Sequence, residues 1–121
     1  MPNTNLELEK LPLSNETLTV YQAKGKLSLE TVNEFIQKLR PETAQHLVLD
    51  LNGVTFLDSA GVGSLVSLFV SRRNQAKTFA LAGLSQQGKA VVTVAGLHNL
   101  LPIYNSIEEA TAAAAKKAGS A

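Results

Sequence analysis

The sequence predicts a single α/β domain in which a mixed, mostly parallel sheet of four to five strands packs against about four helices. Short apolar runs alternate along the chain with segments whose apolar residues recur at helical spacing. This alternation is typical of strand–helix–strand crossovers. The chain has 121 residues, of which 45% are hydrophobic and 17% charged. These values are typical of one ordinary globular domain with its own core.

The strands are predicted from β-rich and apolar runs. The first two form a hairpin, because Ser14-Asn15-Glu16 between them has turn chemistry. Residues 46–51 are almost continuously apolar, as in a central parallel strand, and Asn52-Gly53 is expected to end it before a second short run. The strands are predicted at residues 6–12, 17–27, 46–51 with the further run at 54–57, 78–84 and 102–104.

The helices are predicted from apolar residues at helical spacing. Ser28, Ser59 and Ser106 are expected to cap the first, second and fourth, and Pro41 ends the first. The alanine-rich end can extend the last helix without adding core. The buried stripe of the first helix is expected to be Leu29, Val32, Phe35, Ile36 and Leu39. The helices are predicted at residues 28–40, 60–75, 85–95 and from 106 onward.

Composition and charge exclude several classes of protein. The absence of cysteine excludes disulfide scaffolds and thiolate chemistry, and His46 and His98 lie far apart, so we expect neither a metal nor a cofactor. A net charge of +1 gives no general attraction to nucleic acid. No apolar run is long enough to span a membrane, and the N-terminus lacks the pattern of a secretory signal. We therefore expect a cytoplasmic protein that binds neither membranes nor nucleic acid directly.

The most unusual segment is Leu57-Asp58-Ser59-Ala60-Gly61-Val62-Gly63-Ser64. It follows the predicted central strand and opens the second helix, where sites in open α/β sheets gather. Glycine in a helix costs about 1 kcal/mol relative to alanine, and it is tolerated where another backbone or a partner must approach closely. A purely structural interpretation stays open, with Ser59 as a helix cap and Asp58 as the acid that ends the strand.

No catalytic motif accompanies this segment. Gly61 and Gly63 do not complete a dinucleotide fingerprint, because Val66 stands at the third glycine position, and no P-loop lysine follows. Leu57 stands where a nucleophile elbow needs glycine. His98 has no acid nearby in sequence to orient it. We therefore expect the protein not to be an enzyme.

Residues 48–61, Val48-Leu49-Asp50-Leu51-Asn52-Gly53-Val54-Thr55-Phe56-Leu57-Asp58-Ser59-Ala60-Gly61, resemble the signature of the STAS domain as found in bacterial anti-sigma factor antagonists. The later segments Leu81-Ala82-Gly83-Leu84, Gly96-Leu97 and 101–110 resemble the usual ending of that family. The resemblance implies a STAS domain at residues 6–113, between an N-terminal tail at 1–5 and a C-terminal tail at 114–121.

The resemblance also implies a function. In that family the unmodified protein binds an anti-sigma factor that is an ATP-dependent serine kinase, which frees the sigma factor. The kinase then phosphorylates the serine after the aspartate, here Ser59, and a serine phosphatase reverses the modification. The implied partner interface is Asp58, Ser59, Ala60, Gly61 and Val62, on a monomer or weak dimer. Ser28 stands where the family often has an acid, which leaves the partner's identity open.

Two other functions stay open. In the first, the same fold serves a different partner, as a scaffold in a stress-sensing complex or as an accessory subunit of a lipid transporter. The second is a small enzyme or nucleotide-binding protein, for which the sequence offers a lone Gly-x-Gly.

A basic stretch follows the unusual segment. Residues 59–107 contain no carboxylate, and Arg72, Arg73 and Lys77 fall at the predicted end of the second helix. Cations are favourable there, so solvated helix-end charges are one interpretation. The other is that these three side chains steer an acidic face of the partner.

Overall fold

A five-stranded sheet lies at the centre of the computed structural model, which describes residues 6–119; the predicted N-terminal tail at 1–5 lies outside these residues. β1 pairs antiparallel with β2, and the other neighbouring strands pair in parallel, in the order β1-β2-β3-β4-β5. The mixed, mostly parallel sheet is therefore confirmed. The strands are β1 (Leu6–Lys10), β2 (Leu18–Leu27), β3 (His46–Leu57), β4 (Thr78–Ala82) and β5 (Ile103–Tyr104).

The break predicted at Asn52-Gly53 is wrong, because β3 is one continuous strand of 12 residues. Its second half pairs with β2 through two register shifts, and it extends beyond the last residue that pairs with β4. Gly53 permits this pairing: a Cβ there would lie 3.1 Å from the Ala23 carbonyl oxygen. The long strand therefore places Asp58 beyond the part of β3 that pairs with β4.

The helices lie on both faces of the sheet. The main core packs side chains of the first three helices, such as Phe35, Leu65 and Val92, against one face. A smaller cluster joins Val20 and Val48 to the fourth helix on the other face. The prediction of about four helices is confirmed. They are α1 (Val32–Leu39), α2 (Ser59–Asn74), α3 (Gln86–Val94) and α4 (Ile107–Gly119).

The start of α1 differs from the prediction that Ser28 caps it. Residues 28–31 form a turn in which the Thr31 hydroxyl accepts from the Ser28 N–H at 3.0 Å and donates to the Lys26 carbonyl at 2.9 Å. The helix therefore begins one turn late, at Val32. Leu29 consequently leaves the predicted buried stripe and is 72% exposed.

The C-terminal helix contributes core despite its small side chains. Ser106 caps α4 as predicted, since its hydroxyl accepts from the Glu109 N–H at 3.1 Å. Ala110 and Ala114 are buried, and α4 contacts β3 and β4. The expectation that the alanine-rich end adds no core is therefore wrong, because small side chains let a helix lie close to the sheet. α4 continues without interruption past residue 113.

The C-terminus of α2 is a Schellman turn. The Ala76 N–H donates to the Arg73 carbonyl at 3.0 Å and the Lys77 N–H to the Arg72 carbonyl at 2.8 Å. Ala76 has a φ of 60°, a left-handed conformation that glycine usually adopts. We expect Ala76→Gly to raise the free energy of unfolding by about 0.5–1 kcal/mol, because relief of left-handed strain outweighs the added freedom of the unfolded chain. Urea unfolding measures the change.

The matched control is Ala112→Gly, at an exposed position within α4. The same change of residue there should lower stability by about 1 kcal/mol, since glycine is a poor helix former. Equal losses in both variants would contradict the assignment of strain to Ala76.

Candidate functional site

Asp58 joins the start of α2 to the turn that follows β2. One carboxylate oxygen accepts from the Gly61 N–H at 2.8 Å and the other from the Leu29 N–H at 3.1 Å. The N-cap is therefore Asp58, and the prediction that Ser59 caps α2 is wrong. Asp58 still has extended backbone at the strand end, which is the conformation an N-cap residue needs, whereas Ser59 is already helical.

Ser59 is exposed in the first turn of α2. Because Asp58 has taken over the cap, the Ser59 hydroxyl makes no hydrogen bond to any residue in the 6–119 range. The helix dipole and the first-turn N–H groups give this position a partial positive charge. A free hydroxyl at such a place can be modified without breaking a contact that holds the fold.

The residues of the implied interface differ in accessibility. Ser59 is exposed, and Asp58 and Ala60 are half-buried. Gly61 and Val62 are buried: a Cβ at Gly61 would lie 2.3 Å from the Leu27 carbonyl oxygen, and Val62 is 2% exposed. The glycine thus serves a close approach of two backbones, as the sequence suggested. Gly63, in contrast, faces open space.

An open apolar groove of about 540 Å³ lies beside Ser59, between the first turn of α2 and the second half of α3. Val94 lines this groove and is 89% exposed. Sequence reasoning missed Val94, although Ala90 and Val94 at an i, i+4 spacing mark a second apolar face of α3. The groove is lined by Ser59, Val62, Gly63, Ala90, Val91, Val94, Ala95 and Leu97.

Exposed apolar side chains gather around this segment. Leu29, whose N–H binds Asp58, lies on one side, and Phe56 precedes Asp58 on β3 and is 42% exposed. Val94 lies in the groove on the other side. Two of these exposed apolar residues are therefore linked to the Asp58–Ser59 junction through a hydrogen bond or a shared groove, and Phe56 precedes it on the same strand.

The histidines do not form a metal or catalytic centre in the part of the chain that the structure describes. His46 is buried at the start of β3, and its Nδ1 lies 2.7 Å from the Thr78 hydroxyl. His98 is exposed in the loop after α3. Within residues 6–119, no three His, Asp or Glu side chains are grouped so that they could hold a metal ion. None of the described helices is both long and apolar enough to cross a membrane.

The basic stretch does not form one surface. Arg72 is buried, and its guanidinium donates to the carbonyls of Thr78 at 2.8 Å, Glu42 at 3.2 Å and Ala44 at 2.5 Å. Burial lowers the pKa of Arg72 from its usual value, and the charge of Glu42 opposes that shift. Arg72 therefore holds the fold together and cannot steer a partner, whereas Arg73 is exposed.

These features define the class: an α/β domain with helices on both faces of a mixed sheet and an exposed serine beside an aspartate cap. The chain belongs to the STAS domain family, whose model matches residues 11–110, which confirms the resemblance noted in the sequence.

Solved structures share the fold. An anti-sigma factor antagonist from Mycobacterium paratuberculosis has a TM-score of 0.78 at 19% identity, over 93% of this chain and 97% of that one. The antagonist SpoIIAA in its unphosphorylated form has a TM-score of 0.71 at 18% identity, over 87% and 93%. A sulfate transporter family protein from Wolinella succinogenes has a TM-score of 0.72 at 18% identity, over 84% and 88%.

The cap itself can be tested. We expect Asp58→Ala to lower the free energy of unfolding by about 1–2 kcal/mol, because Gly61 and Leu29 both lose their acceptor. Urea unfolding measures the loss, and amide hydrogen exchange reports each N–H separately.

Asp58→Asn is the matched control, since asparagine is also a good N-cap but has only one acceptor oxygen. It should keep the Gly61 amide protected while the Leu29 amide exchanges faster. If Asp58→Ala left both amides as protected as in the wild type, the capping role would be refuted.

Proposed function

We propose that this STAS domain is an anti-sigma factor antagonist that works by partner switching. In the unphosphorylated form it binds an anti-sigma factor that is a serine kinase, and the sigma factor is released. Phosphorylation of Ser59 ends the interaction, and a serine phosphatase restores it. The observation that carries the proposal is the exposed, unbonded hydroxyl of Ser59 at the edge of an open apolar groove. The likeness to two antagonists, one described in its unphosphorylated form, supports it.

The fold can accept a phosphate on Ser59. A phosphoserine carries about −1.5 to −2 charges, and the positive end of α2 favours an anion. The first-turn amides of Ser59 and Ala60 have no partner within the helix. The Asp58 carboxylate stays bound to its own two N–H donors, so the modification leaves the cap in place.

The complex with the kinase, in contrast, cannot accept a phosphate on Ser59. A partner that covers the groove must remove water from Ser59, and a phosphate beside Asp58 would then be a buried double charge next to another anion. Burial of an unpaired charge costs more than the 1–3 kcal/mol typical of coupling between two sites. Phosphorylation therefore acts as a release signal through the interface and leaves the fold unchanged.

The test uses Ser59→Ala and Ser59→Asp. We expect Ser59→Ala to bind the cognate kinase as tightly as the wild type and to stay bound when ATP is added. Ser59→Asp should bind about 100-fold more weakly, which corresponds to about 2.7 kcal/mol. Isothermal titration measures both affinities, and mass spectrometry locates the phosphate.

Asn33→Asp, at an exposed position of α1, is the control for a change of charge alone and should bind normally. Wild-type affinity in Ser59→Asp would contradict the electrostatic account. A phosphate found only at another residue would refute the assignment of Ser59.

A second candidate function uses the same fold with a different partner. The protein would then be a scaffold in a stress-sensing complex or an accessory subunit of a transporter. The likeness to a sulfate transporter family protein favours it. Phosphosite mass spectrometry on protein from its native cells separates the two. A phosphate on Ser59 supports the antagonist, and a chain unmodified under all growth conditions supports the scaffold or accessory subunit.

A further inference from the structure

A second cavity lies at the other end of α2 from Ser59. It has a volume of about 240 Å³ and opens between the last turns of α2, the start of β4 and the segment before β5. Arg73 is 14 positions after Ser59 in sequence, so the two ends of α2 are about 21 Å apart along the helix axis. The lining residues are Phe69, Arg73, Lys77, Thr78, Phe79 and Pro102.

The cavity is lined by apolar and cationic residues. We call the apolar ones, Phe69, Phe79 and Pro102, the floor, and the cationic ones, Arg73 and Lys77, the rim. Arg73 lies over the Phe69 ring, with its guanidinium carbon 5.5 Å from the ring centroid. Lys77 donates a hydrogen bond to the Gln75 side chain at 3.3 Å, which leaves its charge uncompensated.

No carboxylate neutralises this rim. Across residues 6–119, neither Arg73 nor Lys77 forms an ion pair; Lys10 does, with Glu42 at 3.9 Å. Residues 59–107, which supply every lining residue, contain no Asp or Glu. The positive charge of the rim is therefore available to an outside group.

The rim is held in place by the backbone. The Schellman turn fixes Ala76 and Lys77 relative to the last turn of α2. Arg72, between the two elements, ties that turn to β4 through the Thr78 carbonyl. Binding would therefore cost little backbone entropy at this site, because the turn that carries Lys77 is already fixed.

We propose that this cavity is a second docking surface, which binds an acidic peptide segment carrying an aromatic side chain. The aromatic ring would fill the apolar floor, and carboxylates beside it would pair with Arg73 and Lys77. A nucleic acid is a poorer occupant, because its affinity requires many phosphate contacts and this rim supplies two cations. The proposal goes beyond the function of Ser59 and does not rest on it.

The experiment titrates the full chain with a synthetic peptide, acetyl-Glu-Asp-Trp-Glu-Phe-Asp-Glu-amide, and records amide chemical shifts by NMR. We expect saturable shifts centred on residues 69–79 and 102, and weaker binding at higher salt. A peptide with alanine in place of both aromatic residues should bind about fivefold more weakly, since the floor stays empty. Ser59→Asp should bind the first peptide like the wild type.

Arg73→Gln/Lys77→Gln should weaken binding about tenfold, the loss expected for two partly exposed ion pairs. Lys38→Gln/Lys89→Gln removes the same charge from exposed positions of α1 and α3. This double variant should change the affinity for the peptide less than about twofold. Thermal unfolding shows that each variant is folded. Equal losses in the two double variants, shifts at another surface, or tighter binding of a DNA oligonucleotide at these residues would overturn the proposal. Loss of peptide binding in Ser59→Asp would refute its independence from Ser59.

Discussion

Replacing Arg72 by methionine is expected to lower the free energy of unfolding by about 3–5 kcal/mol, the largest loss we expect from a single side chain. Arg72 is 4% exposed and donates to the carbonyls of Thr78, Glu42 and Ala44. Methionine fills much of the same space but donates to none of those carbonyls. The end of α2, the start of β4 and the segment before β3 would lose their common link.

Urea unfolding of Arg72→Met, Arg72→Lys and Arg73→Met tests this expectation. Lysine keeps the charge but cannot reach three separate carbonyls with one nitrogen. The loss of unfolding free energy in Arg72→Lys should therefore lie between the losses in Arg72→Met and Arg73→Met. Arg73→Met is the control, because the neighbouring arginine is exposed and lies over the Phe69 ring; this variant should lose about 0.5–1 kcal/mol. Equal losses at the two arginines would show that the buried hydrogen bonds are not what makes Arg72 important.

Gly61→Ala is expected to lower the free energy of unfolding by about 2–3 kcal/mol, although alanine is the better helix former. Its Cβ would lie 2.3 Å from the Leu27 carbonyl oxygen and 2.7 Å from the Leu57 side chain. The first contact is with backbone, so α2 must move away from the end of β2. That movement would stretch the hydrogen bond from the Gly61 N–H to Asp58 and disturb the position of Ser59.

Gly63→Ala provides the matched control in the same helical turn. A Cβ there meets no atom within 4 Å, so the helix propensity of alanine should raise stability by about 1 kcal/mol. Thermal and urea unfolding of the pair should give changes of opposite sign. A stabilised Gly61→Ala variant would refute the close approach of α2 to β2.

Most of the sheet could be predicted because its signals are local. The apolar run at 46–51 and the turn chemistry of Ser14-Asn15-Glu16 are properties of short segments, and they led to the central strand and the hairpin. The break predicted at Gly53 was wrong for a reason outside the segment. Whether a glycine ends a strand or lets a neighbour approach depends on the strand beside it, here β2 with its register shifts.

The candidate site was predicted in part. The sequence pointed to Ser59 through the unusual segment after β3, and the family resemblance gave the serine a role. Sequence reasoning assigned the cap to Ser59 and missed Val94. Both depend on the tertiary structure: the Leu29 N–H, from a distant segment, donates to Asp58, and Val94 lines the same groove as Ser59.

The amino-acid sequence by itself determined the α/β class, the hairpin, the helix count and the family, because periodicity and motifs are carried by neighbouring residues. The tertiary structure decided which member of each of two adjacent polar pairs, Asp58-Ser59 and Arg72-Arg73, is free. The Asp58 carboxylate accepts from two backbone N–H groups, and the Arg72 guanidinium donates to three backbone carbonyls. Ser59 and Arg73, in contrast, are exposed. A polar side chain is available to a partner when the fold has not already satisfied it, and that depends on residues far away in sequence.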